Sequence, residues 1–158
     1  MAAFARLRSA PDILLCDGHG RAHPRRFGLA CHLGIALGLP TVGVGKSLLV
    51  GTHRDLGPQR GATARLLDRG EVVGLALRTR AEVRPVFVSV GHRVSLVTAR
   101  RLVLRWSPRF RVPAPVRRAH LEVTRLRVLA RQAHSASPDE AEGAAGLRVL
   151  ARKGAEIK

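Results

Sequence analysis

The sequence is poor in acids, in lysine and in cysteine. Against 28 Lys and Arg stand only 11 Asp and Glu in 158 residues, a formal net charge of +17. Such an imbalance marks a polyanionic partner, most simply nucleic acid. Three of the basic residues are lysines (Lys46, Lys153 and Lys158), and the rest are arginines, which favour bidentate contacts to phosphate. A compositional preference for Arg over Lys would explain that ratio but not the shortage of acids. The two cysteines, Cys16 and Cys31, lack CxxC spacing, which argues against a disulfide framework and fits a reducing, cytoplasmic location. The apolar runs are far shorter than a membrane span, so no membrane partner is expected. No signal peptide is expected either, because Phe4 leads through Arg6 and Arg8 straight into a strand-like segment.

The chain is long enough for one domain with a real core. Residues 3–8 read as the last turns of a helix, followed by a turn at Ser9–Asp12. "ILLC", Ile13 to Cys16, is a continuous apolar run of the kind found in buried strands. "RFGLACHLGIALG" carries Phe27, Leu29, Ala30, Leu33, Ala36 and Leu37 at helical spacing, and "PTVGVGK" reads as a second buried strand. Strand, loop, helix and strand form a βαβ unit, which predicts a parallel pair. Two apolar segments then flank a turn at Asp68-Arg69-Gly70-Glu71. "RPVFVSVGH" is a further strand, Val94–Arg105 has a helical period, and a last helix is expected over about Val116 to Ala133. The domain is expected to span 1–133, with 134–158 as a polar linker or tail. "LRVLAR" occurs at Leu126–Arg131 and again at Leu147–Arg152; two copies are too few for a repeat fold.

The segment "DGHGRAHPRRFG", Asp17 to Gly28, is poor material for a core or a helix. Asp17 falls where the first strand ends, and ligands bind at the carboxyl ends of parallel strands. It can be a ligand for Mg²⁺ or a cap on the following turn. His19, His23 and His32 suggest a metal cluster, but Pro24 disfavours the helix that would pair two of them, and paired cysteines are absent. Hydrogen bonding or phosphate contact suits His23 better. "PTVGVGKS" resembles a phosphate loop only at its end, since Pro40 stands where the first glycine is required. Lys46, at the end of that strand, still offers a compact charge for a phosphate. His92, closing "PVFVSVGH", can orient a water, contact a phosphate or cap the next helix.

These blocks closely resemble the endonuclease V family. The pattern DG-x-G-x-x-HPR-x-x-G-x-A-x-HLG in "DGHGRAHPRRFGLACHLG" is highly specific. "GEVVGLALRTR", "RPVFVSVGHRVSL" and "RFRVPAPVRRA" follow in order, so the resemblance runs from about Ala5 to Ala119. It implies an α/β, ribonuclease H-like fold with helices packed on a mixed sheet. It implies a Mg²⁺- or Mn²⁺-dependent endonuclease of DNA repair, cutting the second phosphodiester bond 3′ of inosine in DNA or RNA. By the same resemblance Asp17 is the catalytic, metal-binding aspartate, His92 the active-site histidine and Lys46 the lysine near the scissile phosphate. Gly18, Gly20, His23 and Gly28 would then wall the pocket for the flipped base, where inosine is told from guanine by its missing 2-amino group.

The chain also departs from the family pattern. A first catalytic Asp, a Glu and a PYIP-like wedge precede the Asp17 block in the family and have no counterpart here; Asp12 lies in a turn. Val97 stands where the family often has Glu, and His120 where Asp is common. The fold is therefore expected to be incomplete, lacking its first three strands, through a truncation or a misplaced start. The strands from Ile13 and Thr41 would expose edges. One carboxylate holds Mg²⁺ weakly, so the chain alone is expected to fold poorly and not to cut. The alternative is a non-catalytic, basic nucleic-acid-binding remnant.

Overall fold

The computed structural model of the chain describes residues 4–135. It divides into two compact units, residues 1–120 and 121–158. In the first unit, strands β1 (Leu14–Cys16), β2 (Thr41–Gly45), β3 (Thr63–Asp68), β4 (Glu71–Leu77) and β5 (Val86–His92) form one sheet in the order β1-β2-β5-β4-β3. β1 and β2 run parallel, as the βαβ reading expects, and the other pairs are antiparallel. The result is the expected α/β class with a mixed sheet. β1 is an edge strand, as expected, but the strand from Thr41 is not, because β5 pairs with its other side.

Strand alternation sends side chains to two faces. On one, Val42 and Val44 of β2, Val86 and Val88 of β5 and Leu77 of β4 pack against Ala99 and Val103 of helix α2 (Leu96–Arg105). All seven are fully buried, each worth ~1.5–3 kcal/mol for the larger aliphatic side chains. On the other, Gly43, Gly45 and Ser89 face the segment 17–28 and helix α1 (Leu29–Leu37), while Leu66, Val73, Ala76 and Phe87 form a second cluster with Ala22.

Local chemistry fixes the boundaries. α1 starts at Leu29 rather than Phe27, because Gly28 is its extended N-cap and gives its N–H to the Gly20 carbonyl. It ends at Gly38, whose φ of 67° is left-handed, with the Gly38 and Leu39 amides returning to the Ile35 and Gly34 carbonyls. α2 starts at Leu96 rather than Val94, since the Ser95 hydroxyl caps it by accepting from the Thr98 amide at 3.1 Å. Arg69 and Gly70 both have positive φ (54° and 78°), which closes the β3–β4 hairpin with a two-residue turn matched to strand twist. Among the described residues the opening segment is a single 3₁₀ turn at Phe4–Arg6, where the last turns of a helix are expected over 3–8. Helix α3 (Ala114–Ser135) starts two residues before Val116, because Pro115 is tolerated in a first turn. In the second unit, Leu121, Val123, Leu126, Val128 and Leu129 are exposed, and Glu122 pairs with Arg125 at 2.8 Å. The tail expected from 134 onward, with its second "LRVLAR", lies outside the described residues beyond 135.

Candidate active site

Because β1 and β2 are parallel, their carboxyl ends open on the same end of the sheet. Asp17 is the first residue after β1, and Lys46 the first after β2. Their side chains meet there, Lys46 Nζ donating to Asp17 Oδ2 at 2.7 Å. His120 Nδ1 lies 3.5 Å from the same oxygen. All three side chains keep solvent access, Asp17 and Lys46 at 37% each and His120 at 58%.

Arg111 holds this group together from behind. Its Nη2 donates to the carbonyls of Lys46 and Pro85, and its Nε to that of Arg84 at 2.9 Å, while Thr79 Oγ1 donates to the Arg111 carbonyl. The clamp ties the segment before α3 to the end of β2 and the start of β5, which brings His120 to Asp17. Burial and nearby Arg84 lower the Arg111 pKa. Between Lys46, Phe110, Arg111, Val112, Arg117 and His120 lies a cavity of about 230 Å³. The Arg117 guanidinium stacks 4.1 Å above the Phe110 ring, an orientation favoured by the ring quadrupole.

The segment after Asp17 is laid flat on the sheet, and the glycines explain how. A Cβ on Gly43 would overlap the backbone of Gly18, His19 and Gly20, and one on Gly45 would overlap the His19 ring. A Cβ on Gly20 would strike the Val90 carbonyl, and one on Gly28 the carbonyls of His19 and Gly20. Gly20 and Gly28 are thus required by the chain's own packing, whatever a ligand requires. Gly18 differs: its Cβ would touch only Leu29, at an ordinary 3.4 Å. The buried Ser89 hydroxyl accepts from the Gly20 amide at 2.8 Å, and the Arg21 amide donates to the Val90 carbonyl. The Ala30 amide donates to the His19 carbonyl, so loop backbone fills the start of α1.

His23 is half-buried in the turn that follows, its Nδ1 accepting from the Arg25 amide at 3.2 Å. That turn is fastened to the β3–β4 hairpin. Arg26, at a φ of 53°, reaches Asp68 at 2.7 Å and Glu71 at 2.8 Å, and Arg21 also pairs with Glu71. The Arg26 hydrogen bond holds the Glu71 carboxyl below its ordinary pKa. The pKa of His19 is lowered by burial first and by His23 second, and its ring packs against Gly45. Cys16 and Cys31 are free and buried; burial pushes the Cys16 thiol up to about 11 and also raises Cys31. Neither is a thiolate nucleophile at neutral pH.

His92 needs a correction. β5 runs antiparallel to β2, so His92 pairs with Thr41 at the start of β2, whereas Lys46 follows its end. The two ends are separated by four residue steps, ~13 Å of strand. The His92 ring instead packs against Gly34 of α1. The imidazole at Asp17 is that of His120, which the sequence reading treats only as a departure from the family pattern. Its adjacency to "PVRRA" is the signal that could have found it.

The model of the family described as Endonuclease V matches residues 1–121. The chain belongs to the endonuclease V family. It is 55% identical over 126 residues to Endonuclease V of Myxococcus xanthus, covering 80% of this chain and 54% of that protein. The crystal structure of Endonuclease V from Streptomyces avermitilis superposes with a TM-score of 0.79 at 48% identity, covering 82% of this chain and 57% of that one. Endonuclease V of Ciona intestinalis, crystallised with a 24mer DNA containing an inosine followed by a ribo-adenosine, gives a TM-score of 0.60 at 29% identity over 73% of this chain and 56% of that one. The chain spans about half the length of the curated family members it matches. No helix among the described residues is long and apolar enough to cross a membrane.

Proposed function

We propose that this chain carries the Asp17–Lys46–His120 part of an endonuclease V-type phosphodiesterase site for inosine-containing nucleic acid. One observation carries the reading: a carboxylate, an ammonium and an imidazole converge at one sheet end, inside the segment that matches the family. The Ciona relative's inosine-containing DNA and this chain's +17 charge support the same class of substrate. The reaction is hydrolysis of the second phosphodiester bond 3′ of the deaminated base, on a ribonuclease H-like scaffold, with a cytoplasmic location expected for such repair.

The family reaction calls for Mg²⁺ or Mn²⁺. Among the described residues no three His, Cys, Asp or Glu side chains are grouped to hold a metal ion, and Asp17 Oδ2 is engaged by Lys46. Mg²⁺ demands near-octahedral oxygen ligation. The described residues therefore do not fit a complete centre, and Asp17 contributes one ligand at most. What the chain's own groups do can be stated without the ion. Lys46, one salt bridge from Asp17, supplies positive charge where a phosphate would lie against that carboxylate. His120 is accessible and can exchange a proton with a reacting oxygen. Arg117, held over Phe110, adds a second cation at the cavity mouth. His23 and the glycine segment are set to meet the base. His92 is left out of the cutting site.

The test is a chimaera that places ahead of this chain the segment of the M. xanthus protein preceding its counterpart of the Asp17 block. On an inosine-containing oligonucleotide with Mg²⁺, the chimaera cuts and the chain alone does not. In the chimaera, Asp17→Asn abolishes cutting and His120→Ala slows it ~10²–10⁴-fold. Cutting by the chain alone would sink the inactivity claim, and an active Asp17→Asn chimaera would remove Asp17 from the site. The +17 charge also fits a second reading, a basic nucleic-acid-binding protein without catalysis. A chain that binds oligonucleotides while its chimaera stays inert would support it.

A further inference from the structure

The sheet face opposite the glycine segment is covered by α2, and the outer side of α2 is cationic. Its sequence, Leu96–Arg105, contains no acid. Arg100, Arg101 and Arg105, with Arg60 from the segment before β3, ring a groove of about 340 Å³ floored by Val97 and Leu104. Two of the four are held in place by backbone: Arg60 Nη2 donates to the Leu104 carbonyl at 2.8 Å, and Arg100 Nη2 to the Gly61 carbonyl at 3.1 Å. Each of these uses one of a guanidinium's five donors and leaves the others for a ligand. The four arginines are exposed, and none makes a salt bridge among the described residues. Arg21 and Arg26, by contrast, are neutralised by Glu71 and Asp68.

We propose that this groove is a second nucleic-acid contact, gripping the phosphate backbone on the α2 face of the sheet with residues distinct from the Asp17–Lys46–His120 group. The proposal rests on the reading that the partner is nucleic acid, but not on inosine or on cutting. The charge and the chemistry agree: four unpaired, partly preorganised guanidinium groups with apolar stems complement a phosphodiester chain, which needs neither a base nor a metal to be held.

The experiment measures binding of the full chain to an inosine-free 20-base-pair DNA duplex by fluorescence anisotropy across a salt series. Arg101→Gln/Arg105→Gln removes the two guanidinium groups that make no hydrogen bond within the described residues, and circular dichroism checks that the variant folds. Each phosphate contact contributes ~0.9 to the slope of log K against log salt, so the double variant should flatten the slope by roughly 1–2. Arg54→Gln/Arg65→Gln, which removes the same charge from exposed positions elsewhere, should change it less. Equal flattening by both pairs would mean diffuse charge and would overturn the proposal, as would an unchanged slope in the α2 pair. If the wild-type chain binds inosine-containing DNA and only the α2 pair behaves like wild type, the groove is wrong and the nucleic-acid reading stands. A wild-type chain that binds no oligonucleotide sinks both.

Discussion

Replacing Gly43 with alanine should lift the Asp17–Gly28 segment off its sheet. The new Cβ would stand 2.7 Å from the His19 carbonyl carbon and 2.8 Å from the Gly18 carbonyl oxygen, and would overlap the Gly20 amide nitrogen. Ordinary contact starts at 3.4 Å, so the Gly18 oxygen must retreat by about 0.6 Å and the Gly20 nitrogen by more. Overpacking of this kind costs ~1–3 kcal/mol. The retreat also strains the Gly20 bond to Ser89 Oγ and the Arg21 bond to the Val90 carbonyl, both 2.8 Å; an orphaned buried amide costs ~1–3 kcal/mol more. A total of ~2–6 kcal/mol would lower the urea midpoint by on the order of 1–3 M. The control is Gly38→Ala, where a Cβ meets nothing within 4 Å but φ is 67°. It should cost ~1–2 kcal/mol through backbone strain alone. Amide hydrogen exchange separates the two: Gly43→Ala exposes Gly20, Arg21 and Ala30, and Gly38→Ala leaves them protected. A Gly43→Ala protein with wild-type midpoint and protection would refute the account of the glycine segment.

Three further outcomes follow from the same contacts. Ser89→Ala removes the acceptor of the buried Gly20 amide and should lower stability by ~1–3 kcal/mol, read by urea titration. Glu71→Gln weakens both arginine contacts to the hairpin, so exchange at residues 21–26 should quicken and respond less to added salt; unchanged exchange would mean the turn needs no hairpin. His19 has its pKa lowered by burial, so the unfolded chain takes up its proton at higher pH than the folded one. Stability is then full above His19's ordinary 6.5 and falls as pH drops through its lowered folded value. His19→Asn should flatten that part of the stability–pH curve.

Elements with one local determinant were legible in the sequence. The parallel β1–β2 pair followed from strand, loop, helix and strand, and the β3–β4 turn from Asp68-Arg69-Gly70-Glu71. Boundaries set by caps were missed by two residues at α1, α2 and α3, because Gly28 and Pro115 act through backbone geometry and Ser95 through a side-chain hydrogen bond, none of them through the apolar period. The role of the glycines was legible only in part. Their permissiveness is a property of the residue, but that Gly20 meets Val90 and Gly43 meets Gly20 depends on which strands become neighbours.

The two histidines show why a site is harder to read than a fold. Asp17 and Lys46 each follow a strand and His92 is the last residue of one; in sequence the three positions look alike. What separates them is direction. β1 and β2 are parallel, so the ends of both lie together, and the salt bridge between Asp17 and Lys46 follows from that alone. β5 returns antiparallel, so its end lies beside the beginning of β2. The chain must then cross back along α2 before it reaches the Asp17 end, and the residues that arrive there are Phe110, Arg111 and, one helical stretch later, His120. Arg111 fixes that arrival through the carbonyls of Lys46, Arg84 and Pro85, contacts spanning up to 65 residues of sequence. The histidine that can serve Asp17 is therefore chosen by strand polarity and by one arginine clamp, neither of which is written in the residues around the histidine itself.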